Sequence, residues 1–310
     1  MSIDYYCHGI QHGMTVLCGI LSSLPKLSAL SLCFMTVGAA QAHDFFSMLP
    51  KSLERLTMVQ IILSTLGDLI FLWSQLPRLR TFVAVPMMGC GGTEIPEEYT
   101  RIRNDKQLLR ATDFRMSWWI PCFDAIVDWL CAQNVPAQLR ACSACVAKSQ
   151  DIAPVVRLLR VFGTALECFE LCMTTPGMEA IRASGGLKEL HFAILLNGTS
   201  NADMFLCMSR FLSQVRAPGI RAVVFSFYGD IPGGRLGDKP VPQLDSLAIA
   251  LSQNGALEGL DRVVVRLSEG VGRVKESAYA SIRGALQWIE DRGLLVIEVH
   301  ENGDEKKWVY

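Results

Sequence analysis

Apolar residues recur along this chain as L-x-x-L-x-L, and the pattern returns at a fixed interval. Leu27-Ser-Ala-Leu30-Ser-Leu32, Leu53-Glu-Arg-Leu56-Thr-Met58 and Leu79-Arg-Thr-Phe82-Val-Ala84 start 26 residues apart. A Leu-Pro-basic step introduces each of them: Leu24-Pro25-Lys26, Leu49-Pro50-Lys51 and Leu76-Pro77-Arg78. Looser copies begin at Leu109, Leu139, Leu166, Leu187, Ile220, Leu260 and Leu294. Alternation within each copy has the period of a half-buried strand.

Between the copies the period lengthens to that of a helix. Leu66, Leu69, Ile70 and Trp73 form one stripe behind a Ser64 cap. Phe123, Ile126, Val127 and Leu130 form another, with Pro121 suited to its first turn. Asp151 precedes Ile152, Val155, Val156 and Leu159 as a candidate cap. Met208, Phe211, Leu212 and Val215 make a fourth stripe; Tyr279, Ile282, Leu286 and Ile289 make a fifth, ended by Gly293. Met14, Leu17, Cys18 and Leu21 read as the helix of a partial first repeat or cap in 1–25, and 270–310 as a C-terminal cap. Strand, turn and helix in repetition predict an α/β fold of the leucine-rich-repeat type. That fold is one solenoid domain over 1–310, of about ten irregular rungs, with a curved parallel sheet on the concave face and helices on the convex face. Met35 and Ile61 occupy the place where related repeats carry an Asn or Cys that bonds the turn, so no Asn ladder is expected.

Composition agrees with stacked units sharing one spine. Half of the residues (50%) are hydrophobic and only 19% are charged, against about 25% charged in ordinary domains. Disorder is thereby excluded. The net charge of −1 excludes a globally basic nucleic-acid binder. The 11 cysteines, odd in number and spread from Cys7 to Cys207, fit buried reduced thiols in the cytoplasm or nucleus. The uncharged run at 27–42, which ends in Ala40-Gln41-Ala42, imitates a signal peptide but starts too deep in the chain. It is also shorter than the ~20 residues a membrane span requires. No membrane association is expected.

Candidate chemistry is sparse. Cys142-Ser-Ala-Cys145 is a lone CxxC, Cys168 and Cys172 make a CxxxC, and His8 and His12 beside Cys7 have no second pair. GxSxG, HExxH and the phosphate-loop and dinucleotide glycine patterns are absent, and Ser23-Leu-Pro-Lys26 lacks the companions of an SxxK enzyme. No catalytic, cofactor or metal-binding set is expected. The residues between the inward positions face away from the helices. One outward row reads Ser31, Thr57, Val83, Asp113, Ser143, Glu170, His191, Val224, Val264 and Glu298. The next reads Cys33, Val59, Val85, Arg115, Cys145, Cys172, Ala193, Ser226, Arg266 and His300. Asp113, Arg115, Glu170, His191 and Arg266, with Trp118 as an aromatic anchor, are the candidate contacts for a protein partner. Cys145 and Cys172, on successive strands and near Cys168 and His191, form the one thiol cluster the repeat would assemble. Two long breaks, at 89–104 and 230–242, interrupt the period.

The stretch from Leu21-Ser-Ser-Leu24-Pro25-Lys26 into Leu27-Ser-Ala-Leu30-Ser-Leu32 resembles the degenerate leucine-rich-repeat part of fungal F-box-like proteins. Trp118-Trp119, the helix at 245–251, the strand at 260–267 and Arg292-Gly293-Leu294-Leu295 are similar to their tail. The resemblance covers most of the chain and rests on pattern. It implies a module that recognises a protein substrate for a ubiquitin ligase. In that family an N-terminal F-box docks onto the Skp1–cullin core. No LPxE[IL] opening precedes the repeats here, so a Skp1-type adaptor is expected only if an F-box lies outside this chain. Without one the chain would be a repeat-only scaffold.

Overall fold

Alternation turns each described rung into a strand: every second side chain enters a core, and the backbone is left to pair sideways with the next rung. The computed structural model describes residues 2–6, 12–85, 111–116, 123–132, 139–146, 152–173, 186–195, 201–228, 242–268 and 276–300. The chain divides into two compact units, Met1–Ser143 and Ala144–Tyr310. Both are mixed α/β, and every described pairing within them is parallel.

The first unit runs β1 (Ser2–Tyr6), α1 (His12–Ser22), β2 (Ala29–Cys33), β3 (Thr36–Val37), α2 (Ala39–Ser47), β4 (Arg55–Val59), β5 (Ile62–Leu63), α3 (Leu66–Gln75), β6 (Thr81–Val85), β7 (Asp113–Met116) and α4 (Phe123–Ala132). The strand β8 (Ala141–Val146) begins in it and ends in the second unit. Its main sheet has the order β1-β2-β4-β6-β7-β8, and β3 pairs with β5. The second unit continues with α5 (Ile152–Phe162), β9 (Cys168–Met173), β10 (Glu189–Leu195), α6 (Asn201–Gln214), β11 (Ala222–Tyr228), α7 (Pro242–Gln253), β12 (Arg262–Ser268), α8 (Glu276–Ala285), α9 (Gln287–Asp291) and β13 (Leu295–His300). Its strands follow one another in chain order from β9 to β13.

Register puts equivalent rung positions side by side. Leu30, Leu56, Phe82, Phe114 and Cys142 form one row in the first unit. Phe169, Leu190, Val223, Val263 and Leu295 form the corresponding row in the second. The first four of each row are essentially inaccessible to solvent. Strands stand about 4.8 Å apart, so aromatic residues in one row stack. Phe82 lies on Phe114 with ring centroids 5.4 Å apart, and Phe192 on Phe225 at 5.4 Å. Helices close over this face: Trp73 of α3 meets Phe82 and Phe114 edge-on at 5.4 Å and packs 5.1 Å from Trp129 of α4. Phe211 of α6 meets Phe192 edge-on at 5.7 Å. Each such pair adds about 0.5–1.5 kcal/mol beyond the area it buries.

Turns set where the rungs start and stop. Phe34 (φ 57) and Gln60 (φ 52) are left-handed at equivalent places in successive rungs. Phe34 N–H donates to the Val59 carbonyl at 2.8 Å. The neighbouring Met35 and Ile61 are buried, so apolar burial holds the turn where an Asn ladder would otherwise do so. The left-handed backbone costs about 1–2 kcal/mol per residue. At the entry to β10, a side chain on Gly186 would place its Cβ 2.4 Å from the Thr164 carbonyl oxygen. Only glycine allows that approach. Gly293 (φ +69) closes α9, with Leu294 N–H on the Ile289 carbonyl and Gly293 N–H on the Glu290 carbonyl. This is the paired bonding of a Schellman turn.

Several sequence expectations need correction. The α3 cap is Thr65, not Ser64: its hydroxyl accepts from Asp68 N–H at 3.2 Å, and Asp68 accepts from Thr65 N–H at 2.9 Å. Such a reciprocal box needs an acid three residues on, and Thr65 has one. The α5 stripe turns toward Pro154, Val155, Leu158, Leu159 and Phe162, leaving Ile152 and Val156 half-buried. The fifth stripe breaks into α8 and α9 at Leu286. Rung four starts at Ala111, because Phe114 pairs with Phe82. The last rung also lies two residues from its expected place, with Leu295 against Val263. A two-residue slip keeps every side chain on its face, so alternation alone cannot detect it. The strand β1, which lacks the repeat pattern, adds Ser2–Tyr6 beside Ala29–Cys33. Trp118, Trp119, Pro121, Asp151, Leu109 and both long breaks lie outside the described residues.

Trp73 and its indole separate packing from hydrogen bonding, because Trp73 Nε1 is buried with no partner among the described residues. Trp73→Ala should destabilise the fold by about 3–5 kcal/mol in urea unfolding. Trp73→Phe, which removes an unsatisfied donor and keeps a ring, should cost less than about 2 kcal/mol.

Candidate functional site

The chemically richest part of the described surface is the outer face of the second unit's sheet, opposite its helices. Glu189 N–H and Lys188 N–H both donate to the Glu167 carbonyl, at 2.9 and 2.8 Å. That anchor sets β10 against β9 so that Cys168 stands beside Glu189, and Glu170 beside His191. Phe169 and Leu190, between them, point into the core and are fully buried. The four outward residues therefore mark the corners of a square, two on each strand. All four are half-buried.

His191 and Glu189 are two residues apart on one strand and so share a face. His191 Nε2 lies 3.3 Å from Glu189 Oε2. An ionised carboxylate can only accept, so Nε2 carries the hydrogen in this contact. Arg262 of β12 donates from Nη2 to the other oxygen, Oε1, at 3.1 Å. Between Glu189 and Arg262 in the register is Ala222. Its methyl group leaves room for the guanidinium to cross two strand spacings, about 9.6 Å. The hydrogen bond from His191, with the positive charges of His191 and Arg262, pulls Glu189 from 4.5 down to about 2, against the opposing effect of partial burial. The Cys168 sulfur and the nearest donor atoms of Glu189 and His191 lie within 4.8 Å of one another.

Arg266 and Glu298 form a second pair on the same face, Nε to Oε2 at 2.7 Å. The slip of the last rung creates it, placing Glu298 beside Arg266 and not beside Val264. In the first unit Arg115 and Asp113 are bonded to each other at 2.8 Å and are about three-quarters buried. Arg115 stands next to Val83 and Asp113 next to Thr81, again two residues from the expected rows. Along the edge where strands begin, a recess of about 740 Å³ is lined by Glu54, Arg78, Arg80, Thr112 and Arg140. The second residues of consecutive rungs supply Glu54, Arg80, Thr112 and Arg140, and the three arginines are exposed.

The sequence-derived contacts thus fall in different places. Glu170 and His191 come together, Arg266 lies further along the same face, Asp113 and Arg115 belong to the first unit, and Trp118 is outside the described residues. The sequence reading missed Glu189, Arg262 and Glu54. The first was legible in principle, since it has the same strand parity as His191. The second required knowing that an alanine stands between. Of the thiols, Cys145 and Cys172 are buried, and Cys168 is the one on the charged square.

In comparisons with known proteins, no family model matches the chain and no curated protein matches it significantly. Among the described residues no helix is long and apolar enough to cross a membrane.

Glu189 links this site to acid stability. Its carboxylate is held below its ordinary value, so its contribution is present above about pH 4.5 and disappears as pH falls toward about 2. Glu189→Gln should lower stability near pH 6, and parent and variant should converge between about pH 4.5 and pH 2. Urea midpoints measured across that range test it. A gap that stays constant with pH would exclude the assigned interaction.

Proposed function

We propose that this chain is a non-catalytic protein-interaction module of the leucine-rich-repeat type, and that the outer sheet face of Ala144–Tyr310 docks its protein partner. One observation carries the reading: Glu170, Glu189, His191, Arg262, Arg266 and Glu298 share one face, partly exposed, on strands held rigid by a packed core. Polar groups fixed on strands lose little freedom when a partner binds, which favours recognition. Both signs are present, so the complementary partner is a protein surface of mixed charge; a phosphate backbone would meet Glu170, Glu189 and Glu298 unfavourably. Glu170 has no ion pair among the described residues, so it is the acid a partner's lysine or arginine would meet.

The solenoid form and the ligase connection belong to the same proposal. Stacked parallel rungs with helices over one face support the former. The family resemblance supports the latter, in which the repeats hold a protein substrate in the cytoplasm or nucleus. A Skp1-type adaptor would join only through an F-box outside these residues; without one the chain serves as a scaffold.

The test is affinity capture with the parent chain, a Glu170→Lys/Arg266→Glu variant and a Val16→Lys control. Val16 is exposed on α1, in the other unit. A partner captured by parent and control, and weakened at least about tenfold by the double charge reversal, meets the proposal. Equal capture by all three places binding elsewhere. Immunoblotting the same eluates for a Skp1-type adaptor decides the ligase form.

A further inference from the structure

We propose that Cys168, Glu189 and His191 form a binding site for a divalent transition-metal ion of the zinc type. The donor set is a thiol, an imidazole and a carboxylate, and their nearest atoms lie within 4.8 Å of one another. Two of the three are already spaced for an ion. His191 Nε2 and Glu189 Oε2 are 3.3 Å apart. Zinc bonds of about 2.0–2.1 Å meeting at a tetrahedral angle put two such ligands roughly 3.3 Å apart. A thiolate ligand, with its longer bond of about 2.3 Å, belongs roughly 3.6 Å from each of them. The sulfur reaches that distance through a side-chain shift of about 1 Å, within the range of a Cys rotamer adjustment.

The strands supply this geometry without a sequence motif. Cys168 and Glu189 are register partners on β9 and β10, and His191 lies two residues along on the same face. None of the three has to cross the sheet. Arg262 holds Oε1 of Glu189 and leaves Oε2 toward the imidazole. That is the outer support by which a ligating carboxylate is oriented. Sulfur and nitrogen ligands select zinc-type ions over magnesium or calcium, which take oxygen. On binding, the Cys168 thiol and His191 Nε2, which carries a hydrogen toward Glu189 in the metal-free site, each give a proton to solvent. The imidazole then coordinates through Nε2 and carries its proton on Nδ1. Three protein ligands leave a fourth position for water.

The experiment uses the full chain, reduced and stripped with chelator, titrated with cobalt(II) as a spectroscopic stand-in for zinc. The expected result is a thiolate-to-cobalt charge-transfer absorption that saturates near one equivalent and is displaced by zinc. Cys168→Ser should abolish the band, His191→Asn should weaken binding at least about tenfold, and Cys18→Ala should leave it unchanged. Zinc should also raise the thermal midpoint of the parent but not of His191→Asn, a readout that stands if Cys168→Ser fails to fold. A parent without a saturable band overturns the proposal. So does a band that survives in both Cys168→Ser and His191→Asn, since other thiols would then be responsible. Loss of metal binding without loss of partner capture leaves the interaction proposal intact, so the two can fail separately.

Discussion

Parallel, in-register pairing between successive rungs is the interaction on which everything else in each unit depends. It satisfies the backbone sideways, one rung against the next, with each hydrogen bond contributing about 0.5–1.5 kcal/mol net. It also brings the same rung position of neighbouring repeats to within about 4.8 Å. A residue is therefore judged against its equivalents in the adjacent repeats. Phe82 on Phe114, and Phe192 on Phe225, stack because they occupy one row. A slip of one residue would move every apolar side chain of a strand to the other face and forfeit the burial. A slip of two leaves the faces intact, and the packing decides between the alternatives. At rung four the decision favours Phe114 beside Phe82, under Trp73.

The same constraint assembles the outer face of the second unit. Cys168, Glu189, His191 and Arg262 come from three separate strands, and no short motif contains them. Their spacing comes from the register, and Ala222 provides the low ground across which Arg262 reaches Glu189. Ion pairs this exposed contribute about 0–1 kcal/mol each, so they add little to folding. Their effect is to orient: one oxygen of Glu189 is committed to Arg262, and the other is directed at His191.

How much of this was legible in the sequence depends on which physical signal carried it. The rungs and most helix stripes were readable because alternation and 3.6-residue periodicity report burial directly, and burial dominates the fold. Leu66, Leu69, Ile70 and Trp73 are all buried as their spacing implies. Choices that do not change which face is buried were not readable: the registers of rungs four and ten, the cap at Thr65 beside an equally plausible Ser64, and the break between α8 and α9. The candidate site was half legible. His191 and Glu170 followed from parity, whereas the Arg262–Glu189 bond depends on a side chain crossing an intervening strand. Nothing local in the sequence reports that.

Burial on the outer face explains why chemistry concentrates in the second unit. Apart from Arg115, which is bonded to Asp113, the outward row of the first unit from β2 to β8 is Ser31, Thr57, Val83 and Ser143, all less than a tenth exposed although they point away from the helices. Thr57 Oγ1 and Ser143 Oγ are buried with no hydrogen-bond partner among the described residues. Each such hydroxyl is unfavourable by about 1–3 kcal/mol, a term the surrounding apolar rows offset. Side chains this short and this covered offer a partner few atoms. On β9, β10, β12 and β13 the outward residues include Glu170, Glu189, His191, Arg262, Arg266 and Glu298, whose long side chains stand clear of the sheet and keep partial access to water. A buried charge is costly unless it is paired. The open face avoids that cost, and the register sets most of its acids near bases, where the groups remain solvated enough to persist and fixed enough to recognise.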